Sequence, residues 1–351
     1  MTTIIIAIIL FSMLVMVHEL GHFVAAKLSG VQVNEFAVFM GPALAKWRWG
    51  QTQYSIRCIP IGGYCAMEGE NEETDSPRSF QKAAWWKRLI ILVAGSFMNF
   101  VIGVVLLAIV AMPAKQLLEP VISQAEVGCT VVSEEGLHVG DRFVKVDGER
   151  IYVASDFEMI LTMKGGDVHD IVVERDGQRV YLNDFVMEKH LFGEETTPRY
   201  GFNFTAQEAT FGKKLSYVLG SSIDIVRSVR FSLQMLLSGQ ASVQDVTGPV
   251  GIVQMMSTTA KEAETAKDAA YNLIYFSAFI AINLAAMNLL PIPALDGGRV
   301  VCLLITTALQ AVTKKKVDPK FEGYLHAAGM VLLLLLMAVI MFKDIFFIFK
   351  G

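Results

Sequence analysis

The sequence predicts a polytopic α-helical membrane protein with about four spans, the third of them broken. Hydrophobic residues make up 53% of the 351 residues and charged ones only 18%. With a mean hydropathy of +0.47, the chain is more apolar than a soluble domain needs to fill its core. Several runs reach the roughly 20 mostly apolar residues that cross the hydrocarbon core of a bilayer. The basic residues gather in two segments that separate such runs.

The first run covers residues 3 to about 28 and is interrupted by "HELGH" and Lys27. Residues 89 to 112 form the cleanest run, with no charge. Residues 269 to 295 are uncharged and stop at Asp296, and after Arg299 a further apolar stretch runs from 300 to 313. Residues 323 to 342 form the last. Lys27, Lys46, Arg48, Arg57, Arg78, Lys82, Lys87 and Arg88 lie between the first and second spans, and Arg299, Lys314, Lys315, Lys316 and Lys320 follow the third. Nothing basic precedes the first span, so the positive-inside rule puts both segments in the cytoplasm, and both termini and the piece from 113 to about 268 outside. A secretory signal is the alternative reading of the N-terminus, but the basic n-region and the small-residue cleavage site are missing. Cys58, Cys65, Cys129 and Cys302 are dispersed without a CxxC pair, and by this topology only Cys129 faces an oxidising compartment. The net charge of -4 points to no nucleic-acid partner.

Within the first span, "VHELGH" sets His18 and His22 four residues apart. On a helix these positions share a face, so both imidazoles can reach one metal ion while Glu19 reaches the water on it. This is the geometry of a zinc hydrolase, in which three protein ligands leave a fourth position for a water whose pKa falls to about 7. Gly21 leaves room for another backbone or a substrate. An accidental match, a haem-binding pair or a structural pair of histidines are the alternatives. Ionisable groups inside a span each cost roughly 2.5–3.5 kcal/mol on insertion scales, and a metal ion is the partner that would offset several together.

The second polar intrusion is "NLLPIPALDGGR", residues 288 to 299. Pro291 and Pro293 cannot continue a helix, and Gly297 with Gly298 loosens the backbone, so the span must break. Broken helices at membrane depth persist only where protein buries them or water fills a cavity. Asp296 is the acidic side chain here and would complete a His, His, Asp site; an ordinary proline kink, with Asp296 marking the cytoplasmic end of the span, is the alternative. Asn288 reads equally well as a substrate-backbone partner or as a helix-helix hydrogen bond.

These two motifs in this order, with "IPIGGYCAMEGE" and "LVAGSFMNF" between them, resemble the site-2 protease family of intramembrane metalloproteases, of the bacterial RseP and RasP type, over nearly the whole chain. The resemblance implies zinc held by His18, His22 and Asp296, Glu19 as general base, and cleavage of transmembrane segments in regulated intramembrane proteolysis. It implies single-pass membrane proteins as substrates, anti-sigma factors or remnant signal peptides, cut near the cytoplasmic face after another protease has trimmed their external part. "VNEFAVFMGPAL" and "YSIRCIPIGGYCAM" read as short strands and hairpins, and resemble the family's membrane-dipping β-hairpin, whose edge could add the substrate as a strand; a structural cap on the bundle is the alternative. The substrate-binding positions are then Asn288, Asn99, Gly62 and Gly63, although Gly95 and Ser96 equally read as plain helix packing beside Asn99.

Outside the membrane, "GCTVV", "DRFVKVDGERI" and "DIVVERDGQRVYL" alternate as strands do, with a short helix near residues 156 to 163. "GLHVGDRFVKVDGERI" resembles the core of a PDZ domain, which accepts an extended peptide or chain end along a strand edge; a spacer or plug without a ligand is the other reading. There is room for one such domain, where many relatives carry two. From residue 211 to about 237, Leu215, Val218, Leu219, Ile223, Val226, Val229, Leu233 and Leu236 recur at helical spacing, predicting an amphipathic helix that lies on the membrane or packs on the PDZ domain, ended by Gly248 and Pro249. The expected organisation is 1–112 for the N-terminal membrane half, 113–204 for the PDZ-like domain, 205–266 for the amphipathic helix and a linker, and 267–351 for the C-terminal membrane half. His138, His169, His190 and His326 show no ligand spacing and read as background.

Two other functions compete. A protease of prenylated peptides also carries HExxH in a membrane helix, but takes a glutamate as third ligand, and Asp296 argues against it. A catalytically silent PDZ-bearing scaffold would have lost His18, Glu19, His22 or Asp296, and all four are present.

Overall fold

The computed structural model describes residues 2–70, 74–192, 197–240, 248–261, 263, 265–314 and 319–350. In chain order the elements are α1 (Thr2–Ser29), β1 (Val33–Trp49), β2 (Thr52–Met67), α2 (Trp85–Ala111), β3 (Gln116–Ala125), β4 (Arg142–Val146), β5 (Glu149–Arg150), α3 (Ala154–Lys164), β6 (Val168–Arg175), β7 (Gln178–Val186) and β8 (Phe202–Glu208). The helices α4 (Phe211–Ser238), α5 (Pro249–Lys261), α6 (Ala266–Asn288), α7 (Asp296–Thr313) and α8 (Pro319–Lys350) follow. The chain groups into two compact units, Met1–Leu106 with Ala241–Gly351, and Leu107–Gln240.

In the first unit, α1, α2, α6 and α8 are long and apolar enough to cross a membrane, so the protein is a multi-pass membrane protein. The boundaries follow from local chemistry. Thr265 caps α6 by accepting the Asp268 backbone N–H at 3.1 Å. The helix stops at Asn288, short of the expected end at 295, because Pro291 and Pro293 lack the N–H groups that would continue it. α2 opens at Trp85, earlier than the expected residue 89. Gly248 and Pro249 do not end the amphipathic helix; α4 has already closed on Gly239, in the left-handed region at φ +73, and Pro249 instead opens α5. Lys315 and Lys316 of the expected cytoplasmic basic segment lie outside the described residues.

β1 and β2 are longer than the short strands expected. Each bends midway, β1 near Phe39–Gly41, where both residues have positive φ, and β2 near Pro60–Gly62. The halves therefore pair twice: Phe36 faces both Cys65 and Tyr54, and Tyr54 also faces Trp47. The result is four segments in the order 61–67, 33–38, 52–56, 43–49, with residues 61–67 on one edge. Glu35 and Arg57 pin it. Arg57 donates to Glu35 at 2.8 Å and to the Gly41 carbonyl at 2.7 Å, and Ser55 donates to Glu35 at 2.6 Å. Burial pushes the Glu35 carboxyl up, but the bonds from Ser55 and Arg57 outweigh it and hold it at about 2.

The second unit is an antiparallel sheet in the order β7-β6-β4-β3-β8, with β5 beside β4. Alternation along β6 turns Ile171 and Val173 inward, and an irregularity in β4 between Phe143 and Lys145 lets Phe143 and Val146 join the same core, closed by Phe157, Ile160 and Leu161 of α3. The expected "GCTVV" strand is absent: residues 128–132 are turns and bends, with a single bridge from Val132 to Leu137. α4 packs on this unit by one face, with Phe231 in the core and Arg227 reaching the Arg150 carbonyl at 2.5 Å and Asp156 at 3.0 Å. On its other face Leu215, Leu219 and Ile223 are exposed. His169, read as background, pairs with Asp147 at 2.7 Å.

Burial, then the charge of Asp224, pushes the Asp156 carboxyl up to about 7. An acid whose pKa rises on folding contributes stability that is full below its unfolded value of about 3.9 and is lost as pH rises through the folded one. Hydrogen exchange at the α3 amides, corrected for the intrinsic pH dependence, should therefore show protection falling as pH rises from about 4 to about 7. Asp156→Asn should flatten that slope.

Candidate metal centre

One turn of α1 separates His18 from His22, so both rings leave the same face, and both residues are buried. Their Nε2 atoms lie 3.1 Å apart. Asp296 Oδ2, at the first position of α7, lies 3.0 Å from His18 Nε2 and 3.3 Å from His22 Nε2. Four ligands placed tetrahedrally around zinc, each about 2.0–2.1 Å away, stand about 3.3–3.4 Å from one another, so this triangle is close to one face of such a shell.

The chemistry of the donors agrees. His22 Nδ1 lies 2.8 Å from the Ile91 carbonyl, which can only accept; Nδ1 therefore carries the proton and Nε2 is left with a lone pair. The side-chain amide nitrogen of Asn288 lies 3.5 Å from His18 Nδ1, and a half-turn of that amide would bring its oxygen there to take the proton that a metal on Nε2 requires. Asp296 Oδ2 is buried, yet among the described residues no hydrogen bond of good geometry reaches it. A lone pair and a carboxylate oxygen converging on one point repel unless a positive charge sits between them. The three residues fit a divalent cation that takes nitrogen and oxygen donors.

Backbone shape brings these groups together. A Cβ at Gly21 would fall on the Ala94 carbonyl of α2, and one at Gly95 would stand 2.5 Å from His22 Nε2 and 2.8 Å from His18 Cε1. Only glycine at both positions lets α1 and α2 approach this closely. In the turn between α6 and α7, a Cβ at Gly297 would fall on the Leu289 and Leu290 carbonyls and one at Gly298 on that of Ile292, so the start of α7 sits directly on the loop before it.

Glu19 faces the sheet. The Cys65 backbone approaches its carboxylate, and a Cβ at Gly63 would stand 2.8 Å from Met16 Sδ and 3.9 Å from Glu19 Cγ. Gly62, at φ +72, borders Met40 instead. Asn99 is fully buried in α2, and neither its amide nitrogen nor its oxygen has a hydrogen-bond partner among the described residues.

The family model described as Peptidase family M50 matches residues 6–336. The chain belongs to this peptidase family. It is 34% identical to a protein of Clostridium acetobutylicum named as a zinc metalloprotease, covering 97% of each chain, and 33% identical to one of Clostridium perfringens, covering 98% of each. It is 26% identical to the regulator of sigma-W protease RasP of Bacillus subtilis, again covering 98% of each. The M50 chain is accordingly a metalloprotease with Zn2+ as its cofactor.

Of the positions singled out in the M50 sequence, His18, His22 and Asp296 converge, Glu19 and Gly63 adjoin each other, and Asn288 reaches His18. Two features escaped the sequence reading. Gly95 reads there as helix packing, whereas it borders both imidazoles, and the approach of the Cys65 backbone to Glu19 carries no side-chain signal at all. The small pair Gly95–Ser96 in an otherwise bulky span was the available clue to the close approach.

Gly95→Val should drive side-chain atoms into the imidazoles and weaken zinc binding by about tenfold or more, in the range for residues that orient ligands. Metal content of the detergent-purified variant, measured under a competing chelator beside the parent, tests this.

Proposed function

We propose that the chain is an intramembrane protease of the site-2 type, cutting single-pass membrane substrates near the cytoplasmic face after their external parts have been trimmed. The observation that carries this is the His18, His22, Asp296 triangle on helices long and apolar enough to cross a membrane, with Glu19 next to Gly63 in the edge segment 61–67 of the sheet. His18, His22 and Asp296 hold the zinc ion. When bound, zinc supplies Lewis acidity and lowers the pKa of a water to about 7.

The chain's own residues do the rest. Glu19 takes a proton from the attacking water as its oxygen bonds to the scissile carbonyl carbon, and delivers it to the amide nitrogen as the C–N bond breaks. A transmembrane helix hides its peptide bonds, so the substrate must first be extended. Among the described residues, 61–67 pair with no strand besides 33–38, so their outer edge is the one that would bond a substrate strand beside Glu19. Gly62 and Gly63 keep that edge free of side chains, and the unpartnered amide of Asn99 and the nearby Asn288 offer donors and acceptors to the substrate backbone.

The sheet carries exposed Met40, Leu44, Trp47, Trp49, Ile59 and Ile61, which supports its dipping into the bilayer. In this reading α6 and α7 are the two parts of a broken third span, and the basic residues between the spans support both termini lying outside. The second unit is read as a PDZ-type domain, in which β8 pairs, among the described residues, with β3 alone and so has an outer edge for a peptide or chain end. The name of the Bacillus subtilis relative, which refers to regulation of sigma-W, supports anti-sigma factors as substrates in regulated intramembrane proteolysis, with remnant signal peptides as the further class.

Co-expression of a tagged single-pass substrate that lacks its external domain tests the proposal. A smaller tagged fragment is expected with the parent and none with Glu19→Gln, while the variant keeps its zinc because every ligand remains. Cleavage by Glu19→Gln at the parental rate would remove Glu19 from the mechanism. Asp296→Ala should lose both zinc and cleavage, and an unchanged metal-to-protein ratio would refute its role as a ligand.

A further inference from the structure

Asp296 is delivered by a loop with little regular structure, so something must hold that loop. Its backbone N–H groups can be followed one by one. Leu289 donates to Ala286 O at 3.3 Å, Leu290 to Met287 O at 3.0 Å, Ile292 to Leu290 O at 2.7 Å and Leu295 to Ile292 O at 3.1 Å. Pro291 and Pro293 have no N–H to place. Ala294 remains, two residues before Asp296, with φ +83 in the region that favours glycine. Its N–H finds no backbone acceptor and donates instead to His326 Nδ1 of α8, at 3.0 Å.

The approach is built from both sides. Between residues 323 and 330, only His326 and Gly329 are not exposed. They are three apart and share a face of α8. A Cβ at Gly329 would lie 2.5–2.7 Å from Pro293 atoms, so the missing side chain lets the proline ring seat on α8 while the imidazole reaches the next residue. A histidine on a span whose surroundings are otherwise lipid-facing is unfavourable without a task, and here its acceptor nitrogen satisfies a strained peptide group that has no backbone acceptor among the described residues.

We infer that His326 is a positioning residue for the metal centre: by accepting the Ala294 N–H it fixes the loop that sets Asp296 against His18 and His22. The inference rests on the reading of Asp296 as a zinc ligand. His326 touches neither the ion nor the substrate. Its effect passes through the backbone from 294 to 296.

The test is zinc affinity of the full-length protein in detergent, by competition with a chelator of known affinity, for the parent, His326→Leu, His326→Asn and Asp296→Ala. Leucine keeps bulk but removes the acceptor, and zinc should bind about 10- to 100-fold more weakly, as for other residues that orient ligands. Asparagine places its amide oxygen where the imidazole Nδ1 stood, and affinity should stay near that of the parent. Parental affinity in His326→Leu would overturn the inference, and so would His326→Asn as weak as His326→Leu, which would mean that shape and not the acceptor matters. Parental affinity in Asp296→Ala would overturn the underlying metal site instead, an outcome distinct from either.

Discussion

Polar groups at bilayer depth have no water to turn to, and each must find its partner inside the protein. The triangle of His18, His22 and Asp296 concentrates that constraint: its three donor atoms lie within 3.0–3.3 Å of one another, an arrangement that a divalent cation would satisfy. The local architecture of the first unit follows from it. α1 must present both imidazoles on one face, α6 must stop so that a carboxylate can arrive, and the rings must be oriented by groups that are themselves buried.

Glycine does much of this work by being small. Gly21 and Gly95 let two spans touch backbone to backbone beside the imidazoles, and Gly297 and Gly298 fold the start of α7 onto the loop that precedes it. Gly103 repeats the device further along α2, where a Cβ would stand 2.5 Å from Ile282 of α6. Between membrane helices, where burying apolar surface gains nothing over lipid, close backbone approach and interhelical hydrogen bonds supply the attraction. The same contacts that hold the helices together thus set the geometry of the site.

The four-segment sheet solves a different problem. Hydrolysis of a peptide bond needs an extended substrate, whereas a membrane segment is helical because only a helix or a closed barrel satisfies its backbone in lipid. In the proposed reading, the strand edge beside Glu19 would offer substitute hydrogen bonds for a segment that has unwound. The ionised Glu35 and Arg57 are held together across the bend of the sheet. The proposed mechanism joins these parts: an edge to extend the chain, a base next to it, and a metal triangle behind the base.

Much of this was legible in the sequence because it is local. Apolar runs of bilayer length, the four-residue step from His18 to His22 and the helix-breaking Pro291 and Pro293 depend on neighbours in the chain and obey simple periodicities. The ends of α4 and α5 were misread around Gly248 and Pro249, since proline opens a helix as readily as it follows one. What only the tertiary structure decided is which faces meet: that Asp296 arrives against α1, that Gly95 lies over the imidazoles, that residues 33–38 pair on both sides, and that a histidine without ligand spacing, His326, accepts the Ala294 N–H. Sequence spacing encodes the direction in which a side chain leaves its own helix or strand. It carries no trace of the backbone group waiting on the element opposite.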